Sequence, residues 1–143
     1  MSQRLRLAVV DDHPLFRAGV VEALSDEFEI VGEAGTAADA VELVRCESPE
    51  VLLLDLGIPG GGLNAAREVA SSYSTTRVII LTSSNDEDDV AAALNAGAKG
   101  YVLKGVGGRA LGRIIRQVMA WRMLVSPQLD GGLEPSLNEA TGK

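Results

Sequence analysis

Several features that would indicate a secreted, membrane-bound or nucleic-acid-binding chain are missing from this sequence. It contains one cysteine, Cys46, and a single thiol cannot form an internal disulfide, so we expect a reducing compartment such as the cytoplasm. The longest apolar run is residues 90–94, which is too short for a transmembrane helix or a secretory signal. Thirteen basic residues against 20 acidic ones give a net charge of −7, which argues against this chain alone binding DNA or an anionic membrane.

What the sequence does contain favours one folded domain. Of its 143 residues, 46% are hydrophobic, which is enough to bury a single core without disulfides or a structural metal. Five short apolar runs follow one another, and we interpret them as strands: residues 5–10, 28–31, 51–54, 77–81 and 100–103. Apolar residues with helical spacing lie between these runs and after the last one, as in Leu111, Ile114, Ile115 and Val118.

The order of these runs predicts the fold class. The third and fourth runs are continuously hydrophobic, which is typical of strands that are buried on both faces of a parallel sheet. Five strand–helix alternations predict an α/β fold, a doubly wound (βα)5 domain with a parallel five-stranded sheet. We expect this domain to span residues 4–125. Residues 126–143 contain prolines and glycines without an apolar period, and we predict a linker or flexible tail there.

Polar side chains follow four of the predicted strands. Asp11 and Asp12 follow the first, Asp55 the third, Thr82 ends the fourth and Lys104 follows the fifth. Because ligands of open parallel sheets bind beyond the carboxyl ends of the strands, we expect these groups to share one site. Each alone has an ordinary explanation, as a helix cap, a strand residue or a surface lysine. Together, however, four strand ends carry groups with compatible chemistry, and this combination favours a site that binds a phosphoryl group or a metal ion.

The chemistry of this set is specific. Three neighbouring carboxylates raise one another's pKa unless a cation lies between them, and oxygen ligands suit Mg²⁺. A carboxylate can also act as the nucleophile that accepts a phosphoryl group. Lys104 would then neutralise phosphoryl oxygens, and the Thr82 hydroxyl would donate a hydrogen bond to one of them.

Four segments carry a family resemblance: VVDDHPLFRAGV (9–20), LLLDLGIPGGG (52–62), VIILTSS (78–84) and GAKGYVLK (97–104). Together they resemble the flavodoxin-like receiver domain of two-component response regulators. DDHPLFRAG in particular is similar to the NarL/FixJ subfamily, whose members usually carry a C-terminal LuxR-type helix-turn-helix. The loop of residues 59–63 is about one residue shorter than the family's commoner proline–glycine loop, and we expect the phosphoacceptor to be retained.

The resemblance assigns roles to individual residues. It implies that Asp55 is the phosphoacceptor and that Mg²⁺ is bound by Asp11, Asp12, Asp55 and the backbone carbonyl of Gly57. It also implies that Lys104 pairs with the phosphoryl group. Thr82 would be the switch hydroxyl, and Tyr101 would move with Thr82. Phosphorylation would thereby bias the surface formed by the fourth helix, fifth strand and fifth helix between two states.

The resemblance also implies partners. A cognate sensor histidine kinase would supply the phosphoryl group, and phosphorylation would promote homodimerisation. DNA would be bound only through a C-terminal domain outside this chain, and no membrane would be involved. We therefore expect a cytoplasmic switch with self-phosphotransfer and autodephosphorylation, not an enzyme with external turnover, and we expect it to be part of a longer transcription regulator.

Three alternatives stay open. A flavodoxin-like FMN binder would share the fold, but it needs hydrogen-bond donors after the first strand, where this chain has two acids. A phosphatase of the haloacid dehalogenase type would need a second Asp two residues after Asp55, where this chain has Gly57. A stand-alone receiver that acts by protein contact or phosphorelay would need no DNA-binding domain.

A few conspicuous residues receive ordinary interpretations. We assign His13 a structural role in the first helical turn, in preference to metal binding or phosphate donation. Cys46 is expected to be a partly buried thiol. Arg109, Arg113 and Arg116 are expected to form a solvated face of the last helix, with a partner contact as the alternative, and Trp121 and Met123 to pack under the tail or a partner.

Overall fold

A computed structural model describes residues 4–120 and 124–125 as one sheet with alternating helices. In chain order the elements are β1 (Arg6–Val10), α1 (Pro14–Leu24), β2 (Glu29–Ala34), α2 (Ala37–Glu47), β3 (Val51–Leu54), α3 (Gly62–Ser72), β4 (Arg77–Thr82), α4 (Glu87–Asn95), β5 (Gly100–Leu103), α5 (Gly108–Ala120) and β6 (Leu124–Val125). The strands are parallel in the order β2-β1-β3-β4-β5-β6. The (βα)5 prediction is confirmed. The predicted tail 126–143 and the expectations for Trp121 and Met123 lie outside the described residues.

The ends of β1 and β4 differ from expectation by one residue, and two further strands differ more. The second runs from Glu29 to Ala34, so it begins later and ends later than residues 28–31. It is an edge strand that pairs with β1 alone in the described part of the chain, and its Glu29 and Glu33 are exposed. Polar residues lie at both ends of the apolar run in such a strand, so the run underestimates the length of the strand. The two-residue β6 extends the five-stranded sheet beside β5 and was not predicted, since two residues form no period.

The hydrophobic strands divide their side chains between two cores. Leu52, Leu54 and Ile80 pack with α2, α3 and α4 on one face, whereas Leu53 and Ile79 pack with α1 and α5 on the other. These residues are at most 1% exposed. Each such side chain contributes about 1.5–3 kcal/mol of hydrophobic stabilisation. The core therefore fixes the strands and, with them, the position of the residues that follow each strand.

Local sequence signals set several helix ends. Pro14 is the first residue of α1, and Gly97, with φ of 109°, follows α4. Thr36 caps α2 by accepting a hydrogen bond from the Asp39 amide at 3.1 Å, and Asp86 caps α4 in the same way. Among the described residues, no helix is both long enough and apolar enough to cross a membrane.

The glycine run before α3 brings this helix against the end of β3. Gly60 and Gly61 have φ of 89° and 93°, a region in which L side chains are strained. The Gly62 amide donates a hydrogen bond to the Leu56 carbonyl at 3.1 Å. A Cβ atom at Gly62 would lie 2.5 Å from the carbonyl oxygen of Asp55, so only glycine allows this approach. The start of α3 therefore packs against the backbone of the loop that follows Asp55 and restricts its position.

Candidate functional site

The predicted site residues lie at one edge of the sheet because backbone hydrogen bonds hold each strand end to its neighbour. The Asp55 amide donates to the Val10 carbonyl at 3.0 Å, which sets β3 beside the end of β1. The Lys104 amide donates to the Thr82 carbonyl at 2.8 Å, which sets the end of β5 beside that of β4. The strand order reverses between β1 and β3, which is where open α/β sheets bind ligands.

The ammonium group of Lys104 lies between two buried carboxylates. Its Nζ is 2.8 Å from Asp11 Oδ2 and 3.5 Å from Asp55 Oδ2. Asp11 and Asp55 are 2% and 5% exposed, so their mutual repulsion is poorly screened by water. The positive charge of Lys104 offsets this repulsion. Its ammonium group is also close enough to contact an anionic group bound next to Asp55.

Asp11 is held in its ionised form. Burial alone would raise the pKa of this carboxyl, but hydrogen bonds from Lys104 and from the backbone and ring of His13 outweigh it and lower the pKa below its ordinary value. The Arg17 guanidinium donates to the Asp11 carbonyl oxygen at 2.6 Å and is itself held by Glu33. Both the side chain and the backbone of Asp11 are therefore fixed.

Together, Asp11, Asp12 and Asp55 form what we call the acidic pocket. Asp12 is its exposed member, and its Oδ1 lies 3.3 Å from His13 Nδ1. One ligand atom from each of these three residues and one from His13 all lie within 4.8 Å of one another. Carboxylate oxygens at this spacing fit a divalent cation.

Gly57 lies beside this pocket. The residue is exposed, and a Cβ atom at this position would be 3.8 Å from Asp55 Oδ2. The loop after β3 therefore passes close to the Asp55 carboxylate without a side chain over it. The predicted role of the Gly57 carbonyl in metal binding stays a prediction.

Thr82 and Tyr101 connect the pocket to the loop between β4 and α4. Thr82 is 4% exposed and joins the site through the hydrogen bond from Lys104 to its carbonyl. Tyr101 is fully buried; its hydroxyl donates to the Ser84 carbonyl at 2.9 Å, and burial raises its pKa. Tyr101 thus ties β5 to the loop between β4 and α4.

Three further residues contact the site without having been predicted to. The Phe16 ring lies under Lys104, with Nζ 4.4 Å from its centroid, and Arg17 and His13 both contact Asp11. In the sequence, Phe16 has the helical spacing of a core residue, which does not point to the site. Contacts between the first turn of α1 and the end of β5 leave no local signal in the sequence.

Other expectations have mixed outcomes. Cys46 is exposed, so the prediction of a partly buried thiol was wrong. It follows the buried Val44 by two residues and lies on the outer side of α2. Arg109, Arg113 and Arg116 are exposed as expected, and Arg116 pairs with Glu27 at 2.6 Å.

Comparison with known proteins gives consistent matches. The family model described as "Response regulator receiver domain" matches residues 7–116. The probable transcriptional regulatory protein NarL of Mycobacterium tuberculosis is 37% identical over 140 residues, covering 96% of this chain and 65% of that protein. DevR/DosR of the same organism, a DNA-binding transcriptional activator, is 35% identical over 142 residues, covering 97% and 65%. The chain thus spans slightly less than two thirds of each relative.

The same relationship is found in three dimensions. The solved signal receiver domain of the putative response regulator NarL from Mycobacterium tuberculosis superposes with a TM-score of 0.80 at 37% identity. The match covers 83% of this chain and 98% of that domain.

Proposed function

This chain belongs to the response regulator receiver domain family, and we propose that it works as a switch by accepting a phosphoryl group on Asp55. The observation that supports this most directly is the placement of Lys104 Nζ, 3.5 Å from Asp55 Oδ2 at the carboxyl edge of the sheet. A buried carboxylate beside a fixed ammonium group is suited to accept and neutralise an incoming phosphoryl group.

The transfer needs one nucleophile and one leaving group. An Asp55 carboxylate oxygen forms a bond to phosphorus while the bond from phosphorus to the donor breaks. With a phosphohistidine donor, the departing imidazole nitrogen takes up a proton and Asp55 becomes an acyl phosphate. Lys104 follows the new negative charge, and Asp11, which holds its ammonium group at 2.8 Å, positions it for this.

The acidic pocket fits the magnesium ion that receiver domains generally use. We infer that Asp11, Asp12, Asp55 and the Gly57 carbonyl would hold it, since these are hard oxygen donors. When bound, Mg²⁺ would neutralise charge on the phosphoryl oxygens. The lowered pKa of Asp11 keeps this ligand deprotonated and ready for a cation.

The switch would use the strand ends beside the pocket. Thr82 can turn its hydroxyl toward a phosphoryl oxygen, and Lys104 is joined to Thr82 through the backbone. The following loop is held by the hydrogen bond from Tyr101 to the Ser84 carbonyl. A movement of Thr82 toward the phosphoryl group would therefore shift this loop and Tyr101. The surface formed by α4, β5 and α5 would thereby change between two arrangements.

The family relationship supports the partners. We propose a sensor histidine kinase as the phosphoryl donor and the cytoplasm, the usual location of such regulators, as the place of action. DevR/DosR is a DNA-binding activator that is longer than the present match. By analogy this receiver would control a DNA-binding domain and carry out no external turnover, which makes a stand-alone relay the less favoured alternative.

A second copy of this chain is the partner proposed for an apolar groove between α1 and α5, which we call the α1–α5 groove. It encloses about 260 Å³ and includes Leu15, which is 90% exposed, and Phe16. Exposed acids lie along the α1 side, at Glu22 and Asp26, and exposed arginines along α5. In a two-fold pair, α1 of each copy would face α5 of the other, so opposite charges would meet.

The state of association tests this pairing. Phosphorylated protein is expected to sediment as a dimer, and Leu15→Asp to remain monomeric because it places a charge in the groove. Ala38→Asp, a change at an exposed position on α2, is the control. Dimerisation of the Leu15→Asp protein at wild-type concentrations would contradict the proposed surface.

Intact-mass spectrometry tests the phosphoacceptor. Incubation with acetyl phosphate and Mg²⁺ is expected to add one phosphoryl group to the wild type and to the exposed control Asp26→Asn, but none to Asp55→Asn. A chelator should abolish the adduct. Retention of the adduct in Asp55→Asn would refute the assignment.

A further inference from the structure

We propose that His13 is a fourth protein ligand of the acidic pocket, and that its imidazole lets the pocket favour a first-row divalent transition metal over Mg²⁺. The inference depends on the proposed binding of a divalent cation at Asp11, Asp12 and Asp55. It adds a nitrogen ligand to that oxygen set and so changes the class of ion that the site prefers.

The geometry is that of neighbouring ligands. His13 Nδ1 lies 3.0 Å from Asp11 Oδ1 and 3.3 Å from Asp12 Oδ1. In an octahedral complex with bonds of about 2.1 Å, adjacent ligand atoms are about 3.0 Å apart. The imidazole nitrogen is therefore spaced from each of the two carboxylate oxygens as adjacent ligands of a single ion would be.

Lys104 occupies the opposite side of Asp11. Its ammonium contacts Oδ2, whereas His13 contacts Oδ1 through both its backbone amide, at 2.8 Å, and its ring. An ion next to Oδ1 therefore need not displace Lys104. The backbone hydrogen bond from His13 also fixes the direction of this carboxylate, as supporting groups of metal sites commonly do.

A purely structural role explains the ring of His13 less well. His13 is the N-cap residue of α1, yet its side chain makes no capping hydrogen bond. The ring is 68% exposed, so core packing does not hold it. What orients it is the pair of carboxylates, and an exposed ring can change tautomer so that Nδ1 offers its lone pair to an ion.

The ion class follows from ligand chemistry. Mg²⁺ takes oxygen ligands and gains little from imidazole, whereas Co²⁺ and Ni²⁺ bind imidazole well. Removal of the ring should therefore weaken Co²⁺ much more than Mg²⁺. That difference separates ligation by His13 from a general loss of order in the pocket.

Calorimetric titration of this chain, without a histidine tag, with Co²⁺ and with Mg²⁺ tests this. We expect His13→Ala to weaken Co²⁺ at least about tenfold and to change Mg²⁺ affinity less than about twofold. His13→Asn, which supplies a good N-cap residue, should behave in the same way and so excludes a folding defect as the cause.

A spectroscopic readout identifies the ligand. His13 is the chain's single histidine, so its imidazole NMR signals are unambiguous and should show the large through-bond contact shifts of a ring bound to Co²⁺. Imidazole signals that show through-space shifts alone or no shift, or equal weakening of both ions in His13→Ala, would overturn the inference while leaving the magnesium pocket intact. A wild-type protein that binds neither ion would instead overturn the proposed pocket, and the inference with it.

Discussion

At the scale of single residues, Lys104 organises the site. Its ammonium contacts the carboxylates of Asp11 and Asp55 and lies over the ring of Phe16. Removing one partner of a buried ion pair leaves an uncompensated charge, which is strongly destabilising. A divalent cation in the pocket would neutralise the same carboxylates, so Lys104 and the metal oppose each other electrostatically.

Lys104→Met should therefore bind Mg²⁺ more tightly and be less stable without it. We expect a gain of about tenfold in Mg²⁺ affinity, equivalent to about 1.4 kcal/mol, and a loss of phosphotransfer. Calorimetry and urea denaturation measure the two effects, with the exposed Lys99→Met as control. Unchanged or weaker Mg²⁺ binding in Lys104→Met would contradict this view of the pocket.

The lowered pKa of Asp11 makes part of the stability depend on pH. Its pKa is below the ordinary 3.8 in the folded protein, so ionised Asp11 stabilises the fold above that value. This contribution is lost as pH falls through the folded-state pKa. The difference in unfolding free energy between wild type and Asp11→Asn should be largest near neutral pH and shrink below about pH 4. A difference that grows on acidification would show the opposite sign.

At the scale of elements, a close approach of α3 to the end of β3 holds the backbone at Asp55. A Cβ atom at Gly62 would lie 2.5 Å from the Asp55 carbonyl oxygen and 2.6 Å from Leu56 Cα, both backbone atoms that cannot move aside easily. In contrast, Gly19 on α1 has open space where its Cβ would be. The two glycines therefore allow a matched comparison.

Gly62→Ala is expected to destabilise the protein by about 1–3 kcal/mol through overpacking and to slow phosphorylation of Asp55. Gly19→Ala should stabilise it by about 0.5–1 kcal/mol, since alanine is favoured inside a helix. Urea denaturation of both variants measures this. Equal effects of the two changes would mean that the backbone around Asp55 is not tightly held.

The same elements show what could be predicted from the sequence. β3 and β4 were predicted because strands that are buried on both faces of a sheet have continuously hydrophobic sequences. Ligands of parallel sheets bind beyond the carboxyl ends of the strands, and this rule placed Asp11, Asp55 and Lys104 in one site. The edge strand β2 was predicted with shifted ends, because polar residues interrupt its apolar run. The cation–π contact of Lys104 with Phe16 depends on how α1 packs against the sheet, and no periodic pattern encodes it.

At the scale of the whole molecule, Phe16 links the pocket to the α1–α5 groove. Its ring lines the groove and also lies under Lys104. A movement of Lys104 toward phosphorylated Asp55 would weaken its contact with the ring, which is worth about 0.5–2 kcal/mol. We therefore expect the α1–α5 groove to respond to phosphorylation of Asp55 through the side chain of Phe16.

Phe16→Leu should accordingly separate the two events. Phosphorylation of Asp55 should proceed at close to the wild-type rate, whereas phosphorylation-dependent dimerisation should weaken. Sedimentation of the phosphorylated variant, with intact mass measured on the same sample, tests both. Wild-type dimerisation by Phe16→Leu would show that the groove does not sense Lys104.

Chemical trapping can establish whether Asp55 accepts the phosphoryl group. An aspartyl phosphate is reduced by borohydride to homoserine, which peptide mass mapping can locate. After treatment with acetyl phosphate and Mg²⁺, we expect homoserine at position 55 and at no other aspartate. Homoserine at Asp11 or Asp12, with Asp55 unmodified, would contradict it.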